Sequence, residues 1–271
     1  MRRGAYREAS GVDPMPARDA EQLAVARIRA VAAQLRSEFV ISHVSAALVW
    51  GCAVWPPPTV THVTHRVRPN AAGAVDLVRH HLELPTAHRW VVAGVPVTTL
   101  ERTVVDCARS MPEREALVVA DSALALGADR AVIDGMIRSA AGARGVARAR
   151  RVLGWADGRA ASPGESLALH ALLVGGLQAP DLQVAVPTRL GTFWLDLGWR
   201  AERVAVEFDG LVKYGGTYGA PIDVVIAEKR RQDALEEMGW TLVRITWADL
   251  RDPDAVVERV RRAHARARGL A

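Results

Sequence analysis

Cysteines and long apolar runs are scarce in this chain, and each scarcity excludes a class of protein. The 271 residues include only Cys52 and Cys107, in no CxxC pattern. Two distant thiols argue against a disulfide framework and thiolate metal sites, and they fit a reducing compartment. No run approaches the ~18 uncharged apolar residues of a membrane span, and residues 1–5 lack the apolar stretch of a signal peptide. We therefore expect a cytoplasmic protein with no membrane partner.

Several catalytic and ligand-binding patterns are also missing. There is no phosphate-binding glycine loop, no Ser/His/Asp order with a nucleophile elbow, no zinc spacing and no internal repeat. The eight histidines do not predict a ligand set. His62 and His65 are three apart in a predicted strand and so face opposite sides, and His80 and His81 are split in the same way. We interpret the histidines as surface or ordinary structural residues.

Positive charge is present in excess, but almost none of it is lysine. The net charge is +5, with 14 Lys+Arg and 15 Asp+Glu in residues 161–271, so the basic excess lies in the N-terminal part. A basic surface suits DNA, although a solvated charged surface explains the excess equally well. Of 35 basic residues only Lys213 and Lys229 are lysines. Lysine, unlike arginine, can lose its proton or orient a water, so these two amines are candidate catalytic groups; chance is the alternative.

The hydrophobic pattern predicts an α+β N-terminal part, residues 1–158, and an α/β C-terminal part, residues 159–271. In the first part, the pattern predicts two helices, three strands and four more helices, at 18–37, 42–50, 60–67, 75–84, 91–98, 98–109, 113–126, 129–140 and 145–155. Ser42 is the expected cap of the second helix, a turn at 69–73 should join the first two strands, and Thr98-x-x-Glu101 is a capping-box pattern.

The C-terminal part has the order α-β-β-β-α-β followed by a terminal helix. The predicted elements are a helix at 163–174, strands at 182–187, 192–198 and 203–209, a helix at 222–238, a strand at 241–247 and a helix at 253–267. Helical spacing requires Leu235 and Met238 to face the sheet. We expect one sheet with helices packed on it.

Three carboxylates lie on two adjacent apolar strands of this part. Asp196 belongs to the second strand, and Glu207 and Asp209 share one face of the third. A buried carboxylate is costly unless a cation or a donor meets it. Convergent carboxylates without thiols or imidazoles suit Mg²⁺ or Mn²⁺. The structural interpretation is that Asp209 begins a turn and that Asp196 lies at a strand edge.

Three further charged residues have two interpretations each. Glu165 lies in Ser162-Pro163-Gly164-Glu165, a capping box that would also deliver its carboxylate to the sheet. Glu228 and Arg231 share the core-facing stripe of the helix at 222–238. Arg231 would pair with a site carboxylate or bind a phosphate, and a mutual Glu228–Arg231 pair explains the two equally well.

Residues 162–247 resemble the PD-(D/E)XK nuclease superfamily, and more narrowly a branch related to very-short-patch-repair endonucleases. The matching residues are Asp196, Val206-Glu207-Phe208-Asp209-Gly210, Glu228-Lys229-x-Arg231, Leu235, Gly239-Trp240 and Val243-Arg244-Ile245-Thr246-Trp247. The resemblance implies a restriction-endonuclease-like core and phosphodiester hydrolysis. It also implies Asp196, Glu207 and the Phe208 carbonyl as Mg²⁺ ligands, Glu165 as a third carboxylate, and Lys213 or Lys229 as the group that orients the attacking water.

Residues 38–110 are similar to the middle of proteins related to AbiEi-type antitoxins of abortive-infection systems. The likeness is carried by residues 41–47, Ile-Ser-His-Val-Ser-Ala-Ala, and residues 96–106, Pro-Val-Thr-Thr-Leu-Glu-Arg-Thr-Val-Val-Asp. Such proteins usually begin with a winged helix-turn-helix. Here residues 3–6 resemble only its last strand, so we expect the winged helix to be largely missing.

Two functions follow from these resemblances. The first is a Mg²⁺-dependent DNA endonuclease, or a nuclease-like protein, of a bacterial defence or toxin–antitoxin context. The alternative is a non-catalytic antitoxin or DNA-binding transcriptional regulator whose nuclease fold is degenerate, in keeping with Asp209 at the signature position of a lysine. The predicted partners are DNA and a cognate toxin.

Overall fold

The computed structural model describes residues 16–66, 75–210 and 222–269. By its internal contacts the chain divides into two compact units, Met1–Gly158 and Arg159–Ala271. Both units combine helices with a mixed sheet, so the protein is of mixed α and β structure. No helix in the described residues is long and apolar enough to cross a membrane.

The first unit is a five-stranded sheet with helices packed around it, and its strand order is β3-β2-β1-β5-β4. In chain order its elements are α1 (Pro16–Gln34), β1 (Val40–Ile41), α2 (His43–Trp50), β2 (Thr61–His65), β3 (Leu77–His81), β4 (Arg89–Val92), β5 (Val95–Thr98), α3 (Leu100–Ser110), α4 (Glu113–Ala125), α5 (Arg130–Ser139) and α6 (Val146–Trp155). Helix α3 packs against α2, α4, α5 and α6. The predicted helices are therefore confirmed, with bounds that shift by one to three residues.

The strands of this unit differ from the prediction in two ways. The first two run parallel, with Thr61 opposite Leu77 and His65 opposite His81, so no tight turn can join them. The turn expected at 69–73 lies outside the described residues, as does the segment at 3–6. The single strand predicted at 91–98 is two antiparallel strands, β4 and β5. Ala93 and Gly94 form the turn between them with positive φ angles of 47° and 79°, a geometry that glycine favours and that the apolar run concealed.

The caps of two helices also differ from the prediction. Helix α3 is capped by Thr99, whose hydroxyl accepts a hydrogen bond from the Arg102 amide, and not by Thr98. Thr98 is fully buried, and its hydroxyl lies 2.6 Å from the Thr103 hydroxyl. Ser42 does occupy the N-cap position of α2, but its side chain makes no capping hydrogen bond.

The second unit is a four-stranded sheet in the order β6-β7-β8-β9. Its elements are α7 (Pro163–Val174), β6 (Asp181–Thr188), β7 (Gly191–Trp199), β8 (Val204–Asp209), α8 (Ile222–Glu237), β9 (Thr241–Thr246) and α9 (Pro253–Ala267). Strands β6, β7 and β8 pair antiparallel, and β8 pairs with β9 in parallel. The predicted order of elements is confirmed, whereas the restriction-endonuclease fold itself stays a prediction.

Apolar residues from α8 and the strands form the core on one side of this sheet. Its members are Val184, Val186, Leu195, Ala205, Leu235 and Trp240. Leu235 is fully buried, as expected, but the expectation for Met238 was wrong, because its side chain is 42% exposed. Helix α8 ends at Glu237, so Met238 lies beyond the helical stripe that was projected through it. Helices α7 and α9 pack against each other, and both contact β8.

Candidate functional site

Asp196 lies where the pairing of β7 with β8 stops. The antiparallel register runs from Trp199 opposite Val204 to Leu197 opposite Val206. One residue further along β7, Asp196 Oδ2 accepts a hydrogen bond from the Phe208 amide at 2.8 Å. Burial raises the pKa of Asp196 to about 6, the charges of Glu165 and Glu207 add to the rise, and the Phe208 amide and Arg231 oppose it. Asp196 is therefore a partly buried carboxyl group whose pKa is affected by the charges of Glu165 and Glu207.

Glu207 is neutralised by arginines. The Arg231 guanidinium donates to both carboxylate oxygens, Nη2 to Oε1 and Nη1 to Oε2 at 3.2 Å. Both side chains are largely shielded, with exposed fractions of 12% for Glu207 and 22% for Arg231. The hydrogen bond that Arg231 donates to Glu207 is the first cause that raises the pKa of Arg231. This is a two-pronged, partly buried ion pair, the strong form of an Arg–carboxylate contact.

The ion pair continues into a network of four charges. Arg231 also reaches Glu228 Oε1 at 3.4 Å, and Arg244 donates to the same oxygen of Glu228. Arg244 Nε lies 3.9 Å from Glu207 Oε2. The mutual Glu228–Arg231 pair is thus present. Arg244 was missed as a site residue, although it lies directly opposite Glu207 in the parallel β8–β9 register, a pairing that sequence spacing alone does not give.

Glu165 forms the capping box of α7. Its Oε2 accepts hydrogen bonds from the Ala161 amide at 2.9 Å and from Gln183 Nε2 at 3.1 Å. Its Oε1 accepts from the Ser162 hydroxyl at 2.9 Å, and that hydroxyl accepts in turn from the Glu165 amide. Both carboxylate oxygens therefore already hold the start of the helix.

Three predicted residues remain, Lys229, Asp209 and Lys213. Lys229 pairs with Asp233, one helical turn further along, at 2.7 Å, and its side chain is 65% exposed. Asp209, the last residue of β8, is exposed. Lys213 lies outside the described residues. Catalytic roles for these three side chains stay predictions.

This arrangement does not fit a Mg²⁺ ion. Among the described residues, no three carboxylates bring oxygens within 4.8 Å of one another. The oxygens of Glu207 and Glu165 already have hydrogen-bonding partners, and the Arg231 guanidinium supplies the positive charge that Glu207 needs. Metal ligation by Asp196, Glu207 and the Phe208 carbonyl stays a prediction.

Three histidines of the first unit do come together. One ring nitrogen from each of His43, His62 and His80 lies within 4.8 Å of the others. His62 Nδ1 is 3.0 Å from His80 Nε2, and the His43 ring stacks on the His80 ring with centroids 3.7 Å apart. The expectation that the histidines form no ligand set was therefore wrong for these three. That expectation rested on pairs of histidines within one strand, whereas these three histidines come from β2, β3 and the start of α2.

A basic cleft of about 730 Å³ opens beside the trio. His43 and His80 line it together with five arginines, Arg79, Arg102, Arg109, Arg144 and Arg148. Burial is the first cause that lowers the pKa of all three histidines, followed for each by the charge of a neighbouring histidine. Burial thus favours the neutral form of these imidazoles.

Two polar atoms of the cleft-lining residues have unmet hydrogen-bonding capacity. Within the described residues, Asp106 Oδ2 and Arg79 Nε are buried atoms without a hydrogen-bonding partner. Asp106 Oδ1 accepts from Arg102 Nε at 2.9 Å. Burial raises the pKa of Asp106, and Arg102 opposes the rise. Buried orphan groups of this kind call for a ligand or an ordered water.

Comparison with known proteins assigns a family likeness to the first unit. Residues 40–155 match the model of the AbiEi antitoxin C-terminal domain. This match supports the antitoxin-like interpretation of residues 38–110 and extends it through α6; nothing in the comparisons supports the nuclease resemblance. The chain is also 33% identical over 180 residues to two relatives from Mycobacterium tuberculosis, the uncharacterized proteins MT2308 of strain CDC 1551 and Rv2248 of strain H37Rv. The match spans 65% of this chain and 65% of each relative. No solved structure matches.

Proposed function

We propose that this protein is a non-catalytic antitoxin that acts with a cognate toxin in a toxin–antitoxin or abortive-infection system. The match of residues 40–155 to the AbiEi antitoxin C-terminal domain carries the proposal. The matched segment includes the five-stranded sheet and the helices α2 to α6. It therefore corresponds to a folded core and not to a short motif.

The basic cleft is the surface that we assign to partner binding. Five guanidinium groups line it, and arginine binds carboxylates and phosphates through paired N–H groups. The guanidinium groups of the cleft could therefore bind either acidic side chains of a toxin or the phosphates of DNA. The orphaned Arg79 Nε supports a cleft that is completed by a bound group.

Growth rescue tests the antitoxin proposal. The genes next to the one that encodes this chain are expressed singly to find a toxic product, and this chain is then co-expressed with it. Wild type should restore growth, and Arg144→Glu, which reverses a charge in the cleft, should rescue at least tenfold fewer colonies. Arg150→Glu is the matched control, because Arg150 is exposed on α6 and does not line the cleft. No rescue by wild type of any toxic neighbour would refute the proposal, and equal rescue by the two variants would refute the role of the cleft.

A metal-dependent DNA endonuclease is the second candidate function. The observation that favours it is Asp196, a carboxyl group with a raised pKa beside Glu165 and Glu207, at the end of the β7–β8 pairing. In this proposal Arg231 would have to leave Glu207 before Asp196, Glu207 and the Phe208 carbonyl could hold Mg²⁺ or Mn²⁺, and Lys213 or Lys229 would be the amine that assists. Plasmid and oligonucleotide cleavage by wild type, lost in Glu207→Gln, would establish it; absence of cleavage with either ion would refute it.

A further inference from the structure

Three separate elements deliver the histidine trio to one point. In the parallel β2–β3 register, Thr64 lies opposite His80 and His62 lies opposite Val78. Because alternate residues share a face, His62 and His80 are diagonal neighbours on the same side of the sheet. Helix α2, which packs against β2, brings His43 to that side from its first turn. The positions are far apart in sequence, so no local repeat accounts for their meeting.

The backbone conformation of His43 and the side chain of Ser42 fix the position of the His43 ring. His43 has a positive φ of 54°, a left-handed backbone conformation that is strained for an L-residue with a side chain. His43 Nδ1 lies 2.9 Å from the Ser42 hydroxyl, which also accepts a hydrogen bond from the Thr64 hydroxyl at 2.9 Å. Ser42 holds the N-cap position without capping the helix. In the tautomer in which Nδ1–H donates to that hydroxyl, Nε2 carries the lone pair that a metal ion needs.

Such a contact is typical of a metal-binding histidine, which usually donates its second ring N–H to a fixed acceptor. The spacing of the ring nitrogens is also suitable. Two nitrogens bound to one tetrahedral Zn²⁺ at about 2.0–2.1 Å are about 3.3 Å apart. His62 Nδ1 and His80 Nε2 are already 3.0 Å apart, and the nitrogen of His43 lies within 4.8 Å of both. To close the site, the His43 and His80 rings, which are stacked with an interplanar angle of 15°, must turn so that their nitrogen lone pairs converge.

We propose that His43, His62 and His80 bind one divalent transition-metal ion of the Zn²⁺ class through three imidazole nitrogens. Imidazole is a preferred ligand of such ions, and three protein ligands leave a fourth position open. Two of the three ligands, His43 and His80, line the basic cleft. The arginines there favour an anion as the fourth ligand, because a metal-bound anion and a guanidinium neutralise each other.

Metal titration of the full-length, tag-free protein tests the site. Chelator-treated protein in a buffer without phosphate is titrated with Zn²⁺ by calorimetry and with Co²⁺ by visible absorption. Wild type should bind one ion per chain with the visible bands of tetrahedral Co²⁺. His62→Ala and His80→Ala should each weaken binding at least tenfold. His81→Ala should bind like wild type, since His81 is the exposed residue next to His80 on the same strand and is not part of the trio.

Two further measurements keep the result interpretable. Ser42→Ala should weaken Zn²⁺ binding about tenfold, the usual effect of removing a partner of a metal ligand, while a role in hydrogen bonding alone would leave metal affinity unchanged. Addition of inorganic phosphate to the Co²⁺ protein should shift the bands, and unchanged bands would overturn the anion assignment. Circular dichroism melts in chelator check that each variant is folded. If the alanine variants fail to fold, the proposal is judged from the wild-type protein alone, by whether its Co²⁺ spectrum shows tetrahedral bands.

The proposal is overturned if wild type shows no saturable binding or no tetrahedral Co²⁺ bands. It is also overturned if His80→Ala binds as tightly as wild type, because the ion would then lie elsewhere. These outcomes are independent of the antitoxin proposal, which is tested by growth rescue without any measurement of metal.

Discussion

At the scale of single residues, the charged cluster of the second unit shows how a carboxylate in a strand is tolerated. Glu207 faces Arg231 across two hydrogen bonds, and Asp196 instead accepts one backbone amide and acquires a raised pKa. Burial of the two carboxylates is therefore tolerated in different ways. Glu207 pairs with a cation, and Asp196 favours its protonated form. This difference separates the expected effects of their amide variants.

Glu207→Gln should destabilise the metal-free protein by about 2 kcal/mol, because the substitution removes the negative charge that the partly buried Arg231 holds through two hydrogen bonds. Urea denaturation checks this value. The control is Lys229→Gln, which removes the exposed ion pair with Asp233 and should leave stability unchanged within the error of the measurement. Unchanged stability of Glu207→Gln would show that the ion pair contributes nothing.

Asp196→Asn should remove a pH dependence of stability. The pKa of Asp196 is raised from 3.8 to about 6 in the folded state, so folding favours the protonated carboxyl group. The stabilisation of the fold that comes from this protonation is fully present below pH 4 and is lost as pH rises through 6. Since the side chain is partly exposed, we expect a gain of only about 1 kcal/mol for Asp196→Asn at pH 7.5, and none at pH 4. Urea denaturation at both pH values, in chelator, checks this; an equal effect at pH 4 and pH 7.5 would contradict it.

At the scale of elements, the start of α7 is fixed by a close approach to β8. A Cβ atom on Gly164 would lie 2.0 Å from Phe208 Cε1. This glycine lets the first helical turn pass over an aromatic ring, and the ring itself contacts Trp247 edge-on with centroids 5.0 Å apart. The contact explains why a glycine stands where helix propensity favours alanine.

Gly164→Ala should therefore destabilise the second unit by about 2 kcal/mol, since Phe208 must move to admit the methyl group. Gly154→Ala in α6 is the matched substitution, because a Cβ there meets nothing within 4 Å. It should stabilise the first unit by about 0.5 kcal/mol through helix propensity alone. Thermal melting of both variants tests the pair, and a stabilising Gly164→Ala would show that Phe208 moves without cost.

At the scale of the whole molecule, local sequence signals predicted most helices and strands. They did not predict which residues distant in sequence would come into contact. Helix α7 was predicted to the residue because Ser162-Pro163 and Gly175 mark its ends. The parallel pairing of β2 with β3, the opposition of Glu207 and Arg244, and the meeting of the three histidines all join residues distant in sequence. No periodicity within one segment encodes those contacts, so the candidate residues could be nominated from sequence but their partners could not.

The make-up of the basic cleft has a consequence for how its charge can be regulated. Every permanently charged side chain among its described lining residues is a guanidinium or the Asp106 carboxylate, and none is an amine. Lysine acetylation, which removes positive charge from a protein surface, therefore has no target there. Arginine also stays protonated at any pH at which the fold survives. The arginine charge of the cleft is thus present at every such pH and cannot be removed by lysine acetylation.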